Sequence, residues 1–305
     1  MSQITDTILM IKPVSFRRNE ETAVNNHYQK KTKALAKTIQ TKALKEFNTL
    51  VAKLEKVGVQ VIVVDDTKEP DTPDAIFPNN WISFHEKGTV CVYPMFAKNR
   101  RSERRIDVIE TIEKQGVKIE NILDYTEAEN EDFFLEGTGS MVLDRENRIA
   151  YCALSPRSKE AIFIEFCEDL EYTPVVFRAN HSVEGKRKPI YHTNVMMSIG
   201  KTYAIICLQT IDDKKQRKHV AKVLEDSGKK IINISKEQVA SFAGNTLQLK
   251  GKEKEYIVMS ETAYQSLSKA QITIIEAHGT ILKSDVKTIE ENGGGSVRCM
   301  MAEIF

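Results

Sequence analysis

The chain carries almost no excess charge: 44 Lys and Arg against 43 Asp and Glu leave a net of +1. Nothing electrostatic therefore directs it to nucleic acid or to an anionic membrane. No apolar run approaches the ~20 residues of a membrane-spanning helix. The N-terminus, Met1-Ser2-Gln3-Ile4-Thr5-Asp6, lacks the basic-then-apolar pattern of a secretory leader. Cysteine is sparse and scattered, with only Cys91, Cys152, Cys167, Cys207 and Cys299 and no Cys-x-x-Cys pair. An odd, dispersed set argues against a disulfide framework or a structural zinc site, and for a reducing cytoplasm.

Several binding motifs are missing as well. Gly200-Lys201-Thr202 resembles the end of a phosphate-binding loop, but the glycine required five residues earlier is Val195. Gly293-Gly294-Gly295 starts like a dinucleotide fingerprint whose third glycine would fall at Arg298, with no room for a βαβ unit after it. The six histidines show no His-Glu-x-x-His and no close pairing. No cofactor and no metal are expected.

What the chain does contain is a repeated pattern. Its 305 residues, 41% hydrophobic and 29% charged, suit a globular protein with a sizeable core. Five segments open with a small or polar residue and continue as a short apolar run. They start at Asn79, Gly139, Asn194, Asn245 and Ser296, and the spacing is roughly 50–60 residues. A turn and a second strand follow, such as Thr89 to Tyr93 or Tyr203 to Cys207. Next comes a helical stretch: Glu103 to Lys114, Lys215 to Asp226, or Glu261 to Lys269. Gly116 and Gly228 end two of them. Third strands are expected at Val59–Val64, Val117–Ile119, Val175–Phe177, Ile231–Ile234 and Ile272–Ile275. The opening strand Thr7–Ile11 and a helix from about Thr32 to Val57 would complete a unit closed by the C-terminus. No linker divides the chain, so the expectation is one circular α/β domain over residues 1–305, built from strand–strand–helix–strand units.

If the opening strands converge on an axis, the polar residues that start them become neighbours. The chain then gathers Asp74, Asn79 and Asn80, then Glu136, His192 and Asn194, Asn245, and Cys299. A Cys, a His and a carboxylate together supply a nucleophile, a proton shuttle and an orienting group. Each has a bland alternative. Most lone cysteines are buried hydrophobes, as Cys91, Cys152, Cys167 and Cys207 read. A single His before an apolar strand is more often core than catalyst, and Glu136 is equally a solvated turn carboxylate. Three glycines and Arg298 set Cys299 apart.

These residues lie in motifs that resemble the guanidine-modifying enzymes, or penteins: Asp74-Ala75-Ile76-Phe77-Pro78-Asn79-Asn80, Leu135-Glu136-Gly137-Thr138-Gly139, Tyr191-His192-Thr193-Asn194 and Gly293-Gly294-Gly295-Ser296-Val297-Arg298-Cys299. The likeness spans the whole chain and includes arginine deiminase, dimethylarginine dimethylaminohydrolase and the amidinotransferases. Phe77-Pro78-Asn79-Asn80-Trp81, Pro94 to Arg105 and Phe16 to Asn25 look most like citrulline-utilising hydrolases. The resemblance implies a five-bladed α/β propeller with the site on its axis. It implies Cys299 as nucleophile, His192 as general acid/base and Glu136 as the site carboxylate. Arg101, or its neighbour Arg100, and Arg157 would hold the amino-acid end of a small substrate, since a guanidinium fork takes a carboxylate in two parallel bonds.

Two departures from the family bear on substrate charge. Asn79 and Asn80 occupy positions that resemble those of an acidic pair in dimethylarginine hydrolases, and Asn194 stands where arginine deiminases carry an aspartate. Amides suit a neutral ureido group better than a guanidinium, which offers only donors and a charge. The expected reaction is hydrolysis of citrulline to ornithine, carbon dioxide and ammonia through a Cys299 adduct. Arginine or methylarginine hydrolysis, amidino transfer and a non-catalytic binding module like the ribosome anti-association factor remain alternatives. A homo-oligomer is compatible with the sequence, and so is a substrate-covering loop over residues 16–29.

Overall fold

The structure is a computed structural model and describes residues 2–305. The chain enters by β1 (Thr7–Lys12), crosses through the helix Ala36–Lys56 and returns parallel to it as β2 (Gln60–Asp65). The helix buries Ile39, Ala43, Phe47, Leu50 and Leu54. Their three- and four-residue spacing makes one apolar stripe, and each large side chain so buried contributes roughly 1.5–3 kcal/mol. Gly58, in the left-handed region at φ +88°, turns the chain out of it.

The next units repeat one plan. A short strand, an antiparallel partner, a helix and a parallel third strand give β3 (Ile82–Phe84), β4 (Thr89–Val92) and β5 (Asn121–Asp124), with the helix Ile106–Lys114 between the last two. The same plan gives β6 (Met141–Asp144), β7 (Ile149–Ala153) and β8 (Thr173–Phe177). A hairpin, β9 (Asn180–Val183) and β10 (Lys186–Pro189), is inserted here. Then come β11 (Met197–Ile199), β12 (Tyr203–Ile206) and β13 (Lys230–Asn233), followed by β14 (Leu247–Lys250), β15 (Glu255–Ser260) and β16 (Thr280–Ser284). The last strand, β17 (Ala302–Ile304), pairs antiparallel with β1, so the C-terminus completes the sheet that the N-terminus began. The molecule is thus a mixed α/β structure of five three-stranded sheets with one strand order, plus the hairpin.

Two of the expected third strands are displaced. Ile272–Ile275 lies in the helix Lys269–Glu276, and the strand is Thr280–Ser284. The β-branched run misleads, because Ser268 and Gln271 form a capping box that starts a helix there. The strand expected at Val117–Ile119 lies instead at Asn121–Asp124. Val117 and Ile119 pack against the core beside β4 without joining the ladder. Gly116 and Gly228 do end their helices with positive φ.

One detail of the repeat matters for the site. A helical turn precedes most of the opening strands: Pro78–Asn80, Gly137–Ser140, Thr193–Met196 and Val297–Met300. The polar residues of the sequence pattern sit on or just before these turns, not in the strands.

Candidate active site

The site is built from those turns. Pro78 starts the first of them, where a fixed φ and a missing N–H cost nothing, and Asn79 and Asn80 complete it. Glu136 precedes the second turn, and Ser140 accepts the Glu136 N–H through Oγ at 2.9 Å. His192 precedes the third. Its neighbour Thr193 donates to the Ser140 carbonyl and accepts the Ala153 N–H at 2.8 Å, tying the turn to the preceding unit. Cys299 lies in the fourth, whose Arg298 N–H donates to Asn245 Oδ1 at 3.0 Å.

Close approach of these turns requires glycine at 139. A Cβ there would lie 2.4 Å from Asn80 Nδ2 and 2.7 Å from His192 Nδ1. Gly294 holds φ +65°, and a Cβ there would fall 2.6 Å from the Asn26 side chain. This is the physical content of the Gly-rich motifs on either side of the site.

His192 Nε2 and Glu136 Oε2 are 2.7 Å apart, and both side chains are buried. Burial pushes the Glu136 carboxyl up, but Arg157, His192 and Arg100 together pull it far below the usual carboxylate range. An ionised carboxylate only accepts, so Nε2 carries the shared hydrogen. Burial pushes His192 down to about 4, against the pull of Glu136 and with the push of Arg157 and Arg100. The ring is neutral near pH 7, with Nδ1 as its basic nitrogen. Glu136 Oε1 also accepts the Phe96 N–H at 3.0 Å.

Two amides face the sulfur. Asn245 Nδ2 lies 3.3 Å and Asn194 Nδ2 3.5 Å from Cys299 Sγ. Asn245 cannot be turned over, because its oxygen holds the Arg298 N–H. Arg298 itself points away: its guanidinium donates to the Met301 carbonyl and to Glu303 Oε2 at 2.9 Å each, so the charge that the sequence places beside Cys299 is spent on β17. Cys91, Cys152, Cys167 and Cys207 are buried free thiols, each pushed upward by burial.

Cys299 and His192 line one cavity, together with Asp74, Asn80, Arg100 and Arg157. Its free volume is about 10 Å³, room for roughly one water. The segment 16–29 roofs it. Asn19 and Thr22 each donate to Asp74 Oδ2 at 2.9 Å, and Asn26 donates to the Gly293 carbonyl at 3.1 Å. Asp74 Oδ1 is buried without a partner among the described residues.

Of the neighbouring arginines, Arg100 lines the cavity and Arg101 does not. Arg101 Nε faces the Met95 carbonyl and Glu129 Oε2, both at 3.2 Å. Arg157 is also committed, to Asn25 Oδ1 at 2.8 Å, the Thr22 carbonyl at 2.8 Å and Glu136 Oε2 at 3.4 Å. Asn79 sits one layer back, donating to Thr138 Oγ1 at 3.3 Å and accepting from Asn80. The sequence gathers Asn245 without giving it a role of its own. It marks Asn19, Thr22 and Asn25 only through the resemblance of Phe16 to Asn25, and Asn26 only as part of a polar loop, with no role for any of the four.

Sheets of this order and a buried Cys–His–carboxylate set define a guanidine-modifying enzyme of the pentein class. A model of the family "N,N dimethylarginine dimethylhydrolase, eukaryotic" matches residues 12–305, and the chain belongs to that family. It is accordingly a hydrolase acting on C–N bonds. No curated protein sequence matches the chain. Among solved structures, an arginine dihydrolase from the ornithine-ammonia cycle in cyanobacteria, ArgZ, superposes with a TM-score of 0.75 at 17% identity. The alignment covers 98% of this chain but only 40% of ArgZ. The N-terminal domain of ArgZ bound to its substrate gives a TM-score of 0.71 at 17% identity, covering 98% and 97% of the two chains. A dimethylarginine dimethylaminohydrolase gives 0.64 at 14% identity, covering 99% of this chain and 100% of the other. At these identities the likeness is one of fold. No described helix is long and apolar enough to cross a membrane.

Proposed function

We propose that the chain hydrolyses the ureido group of citrulline, with Cys299 as nucleophile, His192 as proton shuttle and Glu136 as its orienting carboxylate. The observation that carries this reading is the set of uncharged amides at the reacting centre. Asn194 and Asn245 face the sulfur, and Asn80 lines the cavity with it. Amides offer a neutral ureido group both a donor and an acceptor, whereas a buried guanidinium calls for anionic partners at that place.

The reaction begins with the roof segment lifted, since the closed cavity holds about one water. His192 Nδ1 takes the Cys299 proton, and the imidazolium so formed is held by Glu136. The thiolate attacks the ureido carbon, and the N–H groups of Asn80, Asn194 and Asn245 are placed to steady the developing oxyanion. His192 returns its proton to departing ammonia, leaving an N-alkyl thiocarbamate on sulfur. The same nitrogen then deprotonates water, which attacks the thiocarbamate carbon and expels the thiolate. The released N-carboxy-ornithine loses carbon dioxide to give ornithine. Citrulline and one water thus become ornithine, carbon dioxide and one ammonia.

With Arg100 and Arg157 both paired inside the protein, the amino-acid end of the substrate is held only once the roof has released Arg157. The five sheets read as a closed α/β propeller over a single catalytic domain, supported by the β17–β1 pairing that joins the chain ends. Free cysteines throughout support a reducing, cytoplasmic setting.

A second reading, hydrolysis of arginine or dimethylarginine, is favoured by the unpartnered Asp74 Oδ1, an acceptor suited to a guanidinium N–H, and by the family match. Separate incubation with citrulline, arginine and dimethylarginine, with ammonia, dimethylamine and the amino-acid product measured, decides between the two. Product from the charged substrates alone would refute the citrulline reading.

A further inference from the structure

Glu103 is a buried acid that the reaction above does not use. It lies against Arg100, accepting from Nε and Nη2 at 2.8 Å each. The other side of that guanidinium donates through Nη1 to Asn80 Oδ1 at 2.7 Å, and Nη2 also reaches the Phe77 carbonyl at 3.2 Å. A guanidinium has donors and no acceptor. The Asn80 oxygen must therefore face Arg100, and its NH2 must face the other way. One Nδ2 hydrogen goes to Asn79 Oδ1 at 3.0 Å. The NH2 group lies on the Gly139 side, where His192 Nδ1 also approaches, and Asn80 lines the same cavity as His192 and Cys299. Asn80 therefore presents a donor toward the reacting centre.

We propose that Glu103 is a positioning residue that sets substrate preference: through Arg100 it locks the Asn80 amide donor-inward, favouring a ureido C=O over a guanidinium. A ureido oxygen accepts that N–H, whereas every guanidinium nitrogen meets it donor to donor. This rests on the citrulline reading for its biological sense, but the lock itself is a matter of relative binding. Without the Glu103 carboxylate, Arg100 loses its two-pronged anchor. Asn80 is then free to turn its oxygen inward, where it suits a guanidinium.

The pair is also poised to respond to pH. Burial pushes the Glu103 carboxyl up, to about 7, with Asp74 and Glu136 adding to the push and Arg100 opposing it. Those three are the charged groups that face it. His192, at about 4, and Glu136, far below the usual range, titrate outside that window. The guanidino and ureido groups do not titrate there either.

The test measures Kd for citrulline and for arginine on Cys299→Ala protein, so that no chemistry intervenes. Adding Glu103→Gln is expected to shift the ratio of the two constants toward arginine by about tenfold, one well-placed charged hydrogen bond's worth. Glu103→Asp should restore part of the preference. Equal loss for both ligands, with the ratio unchanged, would show Glu103 to be structural only and overturn the proposal. If Glu103→Gln fails to fold, the comparison is made with Glu103→Asp, whose shorter side chain cannot keep both contacts to Arg100. The ratio should then move toward arginine by a smaller factor, and an unchanged ratio overturns the proposal. Turnover of arginine but not citrulline by the unmodified enzyme would refute the citrulline reading alone, because the binding ratio still reports on the lock.

Discussion

The floor and the roof of the cavity are held by different forces. The floor residues Cys299, His192, Glu136 and Asn80 sit on turns whose following strands are buried, with Met141, Met197, Ile82 and Ala302 all close to fully enclosed. Moving any of them disturbs close-packed apolar contacts. The roof, residues 16–29, is anchored by the buried ring of Phe16 at one end and by Tyr28, packed on Tyr191 and Phe242, at the other; between them it is held by polar bonds, and Val24 is 65% exposed. Such bonds exchange for water at a net cost of about 1 kcal/mol each. The floor is therefore preformed, and the roof is the part that opens.

The most severe way to break the floor is at the sulfur. Cys299→Ala should lower product release by about 10⁴-fold or more while leaving the fold intact, because a nucleophile has no substitute in this site. Near-native rates in that variant would remove the covalent route. Glu136→Gln should cost about 10²–10³-fold in kcat, since it withdraws the charge that holds the imidazolium. It also removes the acidic partner of Arg157, so its thermal midpoint should fall too, as for other broken buried pairs at about 3–5 kcal/mol. A variant that loses stability but keeps kcat would make Glu136 a structural ion-pair partner and nothing more.

The same division explains what the sequence discloses. The floor is legible because its geometry is repeated. Asn80, Glu136, His192 and Cys299 each stand at the start of a unit, and a circular repeat brings unit starts together. Closure by the C-terminus follows from Thr7–Ile11 lacking an opening strand of its own, and β17 supplies it. The roof has no such logic. Nothing in the order Asn19, Thr22, Asn25, Asn26 tells which atoms they meet, because their partners Asp74, Arg157 and Gly293 are 55, 135, 132 and 267 positions away. Arg100 and Arg101 show a third kind of difficulty. Adjacent arginines at the end of a 3₁₀ turn point to opposite sides, and only the buried Glu103 settles which of them turns inward. Ile272–Ile275 fails for a local reason, a capping box that outweighs β propensity.

Acid acts on the floor through His192. His192 is pushed down to about 4 in the folded protein, against about 6.5 in an unfolded chain. Between those values the unfolded chain binds the extra proton and the folded one does not, so stability falls as pH drops from 6.5 to 4. The loss attributable to this ring is about 3 kcal/mol across that window. Denaturant midpoints at pH 7 and pH 4.5 should therefore differ more for the native protein than for His192→Gln. Equal differences would mean that the ring does not titrate as its surroundings require.

The smallest expected effect tests the roof. Asn25 Oδ1 accepts from both Nε and Nη2 of Arg157, at 2.8 and 2.5 Å, and so ties the loop to the guanidinium that also touches Glu136. Asn25→Ala removes that tie and leaves the floor geometry alone. Stability should change by no more than about 1 kcal/mol, because the bond exchanges with water. The kinetic consequence depends on which role the tie serves. If closure over bound substrate is what Asn25 secures, KM should rise by about three- to tenfold with kcat nearly kept. If instead the tie delays opening, product leaves sooner and kcat rises. Unchanged KM and kcat would mean that the roof is held elsewhere, by the Asp74 and Gly293 contacts, and that the Asn25–Arg157 bond is incidental to turnover.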